Sequence, residues 1–236
     1  MRVVCGSQGT AEWLDSRRGL ITASRIKDVM NVLRNGGEGA GRRKYRNELA
    51  MERLTGLTAS HYVTPAMQHG TEYEPIARAT YELERDVVVE SVGLVLHPTL
   101  DYAGASPDGI TDDRAIEIKA PQEETFIGWI QEGLYVPEDH QPQCLWVMEC
   151  CQLDLLDFIA YHPRMKPMIV PMRRDEARIA EITQAVIQFN EEVEATMDRL
   201  REWVIPVSRD SVEHAPEMQD WATRFAEFTG MDEIPL

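Results

Sequence analysis

Three residues whose types and spacing suit hydrolytic chemistry sit close together in the chain: Asp108 in S-P-D-G (106–109), then Glu117 and Lys119 in E-I-K-A-P (117–121). In an extended strand, residues two apart share a face. Within 114–119, Ile116 and Ile118 therefore point one way, and Glu117 and Lys119 the other. If Asp108 ends the preceding strand, a hairpin sets its carboxylate beside Glu117, and two carboxylates converge with one ammonium. Hard oxygen ligands of this kind suit Mg²⁺ or Mn²⁺, with water and phosphate oxygens completing the octahedron. The backbone carbonyl of Ile118 is a further candidate ligand. Phosphodiester hydrolysis uses such a site, because the ion acidifies water and neutralises charge on the phosphate. Lys119 would orient that water or stabilise the developing negative charge. Taken alone, the same spacing also describes the solvated face of an edge strand.

The elements that must position these residues follow from periodicity and turn signals. Apolar residues recur at helical spacing from Glu12 to about Leu33, interrupted by Gly19, with Ser24 near a helix start. Residues 35–41 (NGGEGAG) form a loop before the basic R-R-K-Y-R of 42–46, and without a Gly-Lys-Ser/Thr ending it is no phosphate-binding P-loop. Helices are expected over 45–54 and 65–84. The period then changes, and 87–96, 101–110 and 114–119 read as strands, the last two joined through a Thr-Asp-Asp turn. A short helix is expected over 126–133 and a longer one over 142–151, then a fourth strand over 155–161 and a long amphipathic helix from Ile179 to Val204. Beyond Pro206 the chain is acidic, with one short helix expected around Trp221, Phe225 and Phe228.

A chain of 236 residues can bury a full core without metals or disulfides. No apolar stretch is long enough to span a bilayer, and the N-terminus does not read as a signal peptide. Cys5, Cys144, Cys150 and Cys151 show neither disulfide-framework nor zinc-ribbon spacing, so a reducing cytoplasm is expected. The net charge of −16 argues against nucleic acid as a partner, yet its distribution is uneven. Residues 1–60 carry 11 Lys/Arg against 6 Asp/Glu, net +5, while the remaining 176 carry 13 against 34, net −21. Because salt screens beyond about 8–10 Å, a basic first quarter on an acidic body can still bind DNA locally.

Five blocks in fixed order carry a resemblance: W-L-D-S-R-R-G-L-I-T-A-S (13–24), H-G-T-E-Y-E (69–74), S-P-D-G, E-I-K-A-P and H-Q-P-Q (140–143), the last leading to Y-H-P-R-M (161–165). Together they resemble the lambda-exonuclease and YqaJ-type viral recombinase family of PD-(D/E)XK nucleases. The resemblance implies an α/β fold of α+β type, with a mixed central sheet flanked by helices. It implies a nuclease domain over 1–205 and an acidic tail over 206–236.

By the same resemblance, Arg17 and Ser24 match the residues that bind the 5′-phosphate of a DNA end. A guanidinium, a hydroxyl and a helix N-terminus together make an anion site, although Ser24 alone would read as an N-cap. Glu74 matches a helix-borne acid that helps hold a second ion or the attacking water. Gln143 matches an active-site Gln. His140 stands where relatives often carry Tyr, and without the family it would read as a surface loop histidine. Met67 matches an apolar wedge at the terminal base pair, or is a buried helix Met, and Arg34 matches a backbone contact. The cysteine spacing does not reproduce the four-cysteine iron–sulfur cluster of some nucleases in the superfamily. The implied activity is that of a Mg²⁺-dependent 5′-to-3′ exonuclease with two ions per site, leaving 3′ single strands. A ring-shaped homotrimer, a single-strand annealing partner and a phage or prophage origin in a bacterial cytoplasm are implied as well. A structure-specific or restriction-type endonuclease, and a non-catalytic DNA-end binder, are the alternatives.

Overall fold

The structure, a computed structural model, describes residues 1–5, 8–58 and 65–204. Over these the chain runs β1 (Arg2–Cys5), α1 (Ala11–Arg17), β2 (Ile21–Thr22), a 3-10 turn (Ala23–Arg25), α2 (Ile26–Val29), α3 (Ala40–Thr55) and α4 (Pro65–Arg85). There follow β3 (Leu94–Leu96), β4 (Ala103–Ala105), β5 (Gly109–Ile110), β6 (Ala115–Lys119), α5 (Glu123–Glu132) and α6 (Gln141–Cys151). The chain continues with β7 (Leu155–Ala160), β8 (Met168–Arg173), α7 (Glu176–Leu200) and a last 3-10 turn (Arg201–Trp203).

The strands form two four-stranded sheets, in the orders β1-β3-β4-β2 and β5-β6-β7-β8. Each is mixed: β2 runs parallel to β4 and β6 to β7, and the other neighbours are antiparallel. The chain passes from one sheet to the other through Ser106, Pro107 and Asp108, between β4 and β5. One face of the second sheet meets α4, where Ala77 and Tyr81 pack on Ile116, Ile118 and Ile159. The opposite side meets α6, which packs against strands of both sheets and against α2 and α7. Helix α6 is buried all round, from Cys144 through Met148 to Cys151. A helix with no polar face belongs in an interior, and here it is the pillar between the sheets.

Several expectations are corrected. The helical spacing over 12–33, interrupted at Gly19, resolves into α1, β2, a 3-10 turn and α2, and Gly19 turns the chain in the left-handed region, φ 72°. Helix α3 holds that turn: Gly19 N–H donates to Glu52 Oε2 at 3.0 Å, and Arg53 Nε donates to the Gly19 carbonyl at 2.8 Å. Strand 87–96 shrinks to Leu94–Leu96, with Glu90 bridging separately to Ile110. Strand 101–110 is β4 and β5, which lie in different sheets, so the α/β class holds with two sheets in place of one. Helix 45–54 begins five residues earlier, at Ala40, and β1 and β8 were not anticipated. Val204 lies beyond α7. The helix expected around Trp221, Phe225 and Phe228 lies outside the described residues.

The basic first quarter is also less exposed than its composition suggests. Arg42, buried, forks onto Glu192 of α7 at 2.9 and 3.1 Å and reaches the Val29 carbonyl. Arg46 pairs with Glu38 and Thr196, and Arg53 with Asn190 and Glu194. These arginines fasten α3 to α7, while Arg34, Arg43 and Lys44 remain at the surface.

A second buried ionic cluster ties α4 to the sheet. Asp157 on β7, 1% exposed, accepts from Tyr81 Oη at 2.9 Å and from Arg114 at 3.1 Å, with Arg85 at 3.7 Å. Burial, and then the Asp157 charge, push the Tyr81 hydroxyl well above its ordinary value. Removing Asp157 leaves the buried Tyr81 hydroxyl without its acceptor, while the part-exposed Arg114 keeps Asp113. Asp157→Ala is expected to cost about 2 kcal/mol of stability, read as a lower urea midpoint at constant slope. A cost under about 1 kcal/mol would show that the cluster behaves as a surface pair.

Candidate active site

Strand β6 is buried on both faces between β5 and β7, so Glu117 is no solvated edge residue; its side chain is 1% exposed. Alternation holds as read from the sequence. Ile116 and Ile118 face α4, and Glu117 and Lys119 face the first turn of α6. There Glu117 Oε1 accepts from Lys119 Nζ at 2.6 Å and from Gln143 Nε2 at 2.6 Å, and Lys119 Nζ lies 3.3 Å from Gln143 Oε1. Asp108 enters from the hairpin. Its N–H donates to the Ile116 carbonyl at 3.2 Å, and its Oδ2 accepts from Ile118 N–H at 2.6 Å. The next residue must be glycine, since a Cβ on Gly109 would lie 2.2 Å from Val89 Cγ1. A strand residue turns its N–H and C=O to the same edge, so the Ile118 carbonyl faces the side where Asp108 stands.

This set fits a hard divalent cation. Glu117 Oε2 is buried and has no hydrogen-bond partner among the described residues, which is costly for a carboxylate oxygen unless another charge completes it. No group of three or more His, Cys, Asp or Glu side chains forms a cage among the described residues. Were an ion held here, Asp108, Glu117 and the Ile118 carbonyl would supply half a shell, leaving room for water or phosphate oxygens. Burial, then the Glu117 carboxylate, with Glu74 adding to them, push Asp108 well above the usual carboxylate range against the pull of Lys119 and Ile118 N–H. Burial would lower the Lys119 ammonium, but Glu117 and Asp108 hold it above its ordinary value. Glu74, on α4, lines a cleft of about 200 Å³ together with Asp108, Gln8, Arg78, Ser91 and Val92.

The candidate phosphate anchor stands on the same crossover. Arg17 stacks its guanidinium on Trp13, 4.3 Å from the ring centroid, and donates to Ser106 Oγ at 3.0 Å. Trp13 Nε1 donates to the same oxygen at 3.0 Å. Ser24 is exposed in the 3-10 turn and does not cap a helix; the capping position there is Thr22. Since β2 and β4 run parallel, with Thr22 opposite Gly104, Ser24 and Ser106 both lie just beyond the carboxyl ends of neighbouring strands. Ser106 and Trp13 lie in blocks that the sequence picks out, but their pairing with Arg17 is a tertiary fact. Arg78 and Gln8 carried no sequence signal.

The remaining candidates stand apart. Arg34 is exposed on the loop between α2 and α3, and the side chain of Met67 lies outside the described residues. His140 is not a surface histidine: it packs against Trp129 and Phe158, at centroid distances of 5.4 and 5.6 Å. Burial, then Lys119, lower it to about 4, so it is neutral at neutral pH. Cys144 adjoins Gln143, and burial, then Glu117, hold its thiol well above the ordinary value.

These features fall largely within the stretch over which the chain matches a known family. The YqaJ-like viral recombinase domain matches residues 12–154, and the chain belongs to that family. Two crystal structures of LHK-Exo, an alkaline exonuclease from Laribacter hongkongensis, one in complex with dAMP, are 37% identical to it. The match covers 87% of this chain and 100% of theirs, with TM-scores of 0.75 and 0.74. A phage-related exonuclease from Haemophilus somnus 129PT shares the fold at 13% identity and a TM-score of 0.58, over 77% of this chain and 96% of its own. None of the curated proteins matches.

The raised Asp108 value sets a pH dependence. The folded protein holds this proton more tightly than the unfolded chain does. Stability is therefore lost as pH rises from the unfolded carboxylate value, near pH 4, through the raised folded value. With chelator present, thermal melts of Asp108→Asn should lose less stability over that range than wild type. Added Mg²⁺ at neutral pH should raise the wild-type Tm and leave the variant's unchanged. Equal Mg²⁺ shifts in both proteins would remove Asp108 from the ion site.

Proposed function

We propose that this chain is a deoxyribonuclease, an exonuclease that degrades one strand of linear duplex DNA from a 5′-phosphorylated end, 5′ to 3′. The product is a 3′ single strand suited to recombination by annealing. The observation that carries this reading is the buried Glu117 Oε2, without a hydrogen-bond partner among the described residues, near Asp108 and one crossover segment away from the Arg17–Ser106 pair. A hydrolytic half-shell and an anion anchor on one segment suit a substrate with a terminal phosphate. The 37% identical relatives are described as an alkaline exonuclease, one of them holding dAMP, a nucleoside monophosphate. The 5′ polarity rests on the Arg17 and Ser24 match.

Asp108, Glu117 and the Ile118 carbonyl would hold the first Mg²⁺, with Mn²⁺ as a substitute, and Glu74 would serve a second ion directly or through water. When bound, these ions neutralise charge on the phosphate and acidify water. Lys119, held charged by its two carboxylate neighbours, orients the attacking water and balances charge building on the phosphate. Gln143 fixes the Glu117 oxygen that does not face the ion and offers its carbonyl to Lys119. Arg17 and Ser24 hold the 5′-phosphate, with Met67 and Arg34 as contacts to the terminal pair and the backbone. We assign this activity to residues 1–205, and propose a ring-shaped trimer that works with a single-strand annealing protein in the host cytoplasm.

Linear duplexes with a 5′-phosphate on one strand test the reading. With Mg²⁺ the phosphorylated strand should disappear first, and chelator should stop the reaction. Asp108→Ala and Lys119→Ala should each lower the rate by at least about 100-fold. Arg17→Ala should erase the preference for phosphorylated over hydroxyl ends. Full activity in Asp108→Ala would sink the site assignment, and cleavage of covalently closed circles would replace the exonuclease by an endonuclease. A strict monomer that still degrades long DNA processively would overturn the ring.

A further inference from the structure

Arg78 is a cation of the cleft for which the chemistry above has no use. It follows Glu74 by one turn of α4 and forks: one amino group donates to Glu74 Oε1 at 2.8 Å, the other to Ser91 Oγ at 2.7 Å. Ser91 follows Glu90, whose backbone exchanges two hydrogen bonds with Ile110, at 2.8 and 3.0 Å. Ile110 closes the short β5 that begins just after Asp108. A continuous set of contacts therefore runs from the helix acid, through the guanidinium, to the strand that holds Asp108. Glu74, Arg78, Ser91 and Asp108 all line one cleft.

An ordinary Glu–Arg pair one turn apart on a helix surface contributes little, and its loss is tolerated. This pair differs in two respects. It is tied at a third point on another element, and Arg78 Nε is buried without a partner among the described residues. A buried donor of this kind is completed by an ordered water or by a bound ligand. A planar guanidinium can hold two acceptors at a fixed angle, which a lysine ammonium cannot reproduce.

We propose that Arg78 is a positioning residue of the active site: its fork fixes the Glu74 carboxylate relative to Asp108, so that a divalent cation meets the helix acid already oriented. This rests on the metal-nuclease reading above. The brace acts through Glu74 and touches neither the reacting phosphate nor the attacking water.

The test compares wild type with Arg78→Gln, Arg78→Lys, Ser91→Ala, Glu74→Gln and the Glu74→Gln/Arg78→Gln double variant. Mn²⁺ binding is measured by calorimetry without DNA, and kcat and KM on a linear duplex. Arg78→Gln should weaken Mn²⁺ binding and lower kcat by about tenfold or more, as loss of an outer partner does, with KM little changed. Arg78→Lys should fall between it and wild type, and Ser91→Ala should show a smaller loss in the same direction. The double variant should be no worse than Glu74→Gln, because a residue acting through another adds nothing once that other is gone. Multiplied losses in the double variant, or a raised KM with normal Mn²⁺ binding in Arg78→Gln, would overturn the proposal. If Arg78→Gln does not fold, Ser91→Ala decides: unchanged Mn²⁺ binding and kcat there overturn it. Wild-type protein that binds no Mn²⁺ and hydrolyses DNA without a metal would overturn the metal reading itself, and the brace with it.

Discussion

A buried carboxylate, Glu117, with a second, half-buried one, Asp108, at the mouth of the neighbouring hairpin is the constraint that the rest of this structure answers. Burying a charge costs far more than burying an apolar group unless it is paired and hydrogen-bonded. Asp108 is met by the Ile118 N–H, and one oxygen of Glu117 by Lys119 and Gln143. The other oxygen of Glu117 has no hydrogen-bond partner among the described residues. Holding that incomplete arrangement needs rigid supports, and the surroundings supply them. The support is a strand buried on both faces, an apolar helix α6 that presents its first turn, and a glycine where a side chain would push Asp108 out of register.

The crossover between the two sheets ties the proposed phosphate anchor to the proposed ion site. Ser106 belongs to the end of the first sheet and meets Arg17, while Asp108 begins the second and meets β6. Only Pro107 separates them, so the Arg17–Ser106 pair and Asp108 cannot drift apart without breaking a sheet. On the other flank, α4 is fastened to the second sheet by the apolar contacts of Ala77 and Tyr81 and by the Asp157 cluster. That fixes the helix from which Glu74 approaches.

Charge is organised in the same local way. The chain is strongly acidic, and much of its basic first quarter is spent internally, with Arg42 and Arg53 pairing across to acids of α7. What a DNA end would meet is therefore a few placed cations, Arg17 and Lys119 among them, within a field that repels phosphate elsewhere. For such a protein, recognition by a small number of well-held groups matters more than bulk attraction.

The sequence by itself determined whatever depends on neighbours along the chain. Alternation in 114–119 put Glu117 and Lys119 on one face, periodicity marked α4, α6 and α7, and the order of five blocks pointed to the family. Tertiary structure alone decided what depends on residues far apart. Arg17 finds Ser106 across 89 positions and Arg42 finds Glu192 across 150. The groups that hold the turn at Gly19, Glu52 and Arg53 of another helix, lie 33 and 34 positions away. The strand at 101–110 divides because its two ends find partners in different sheets. Glu117, whose spacing also fits a solvated edge, is buried because β7 and α6 close over it. Local pattern fixes which way a side chain points, and only packing fixes what it meets there.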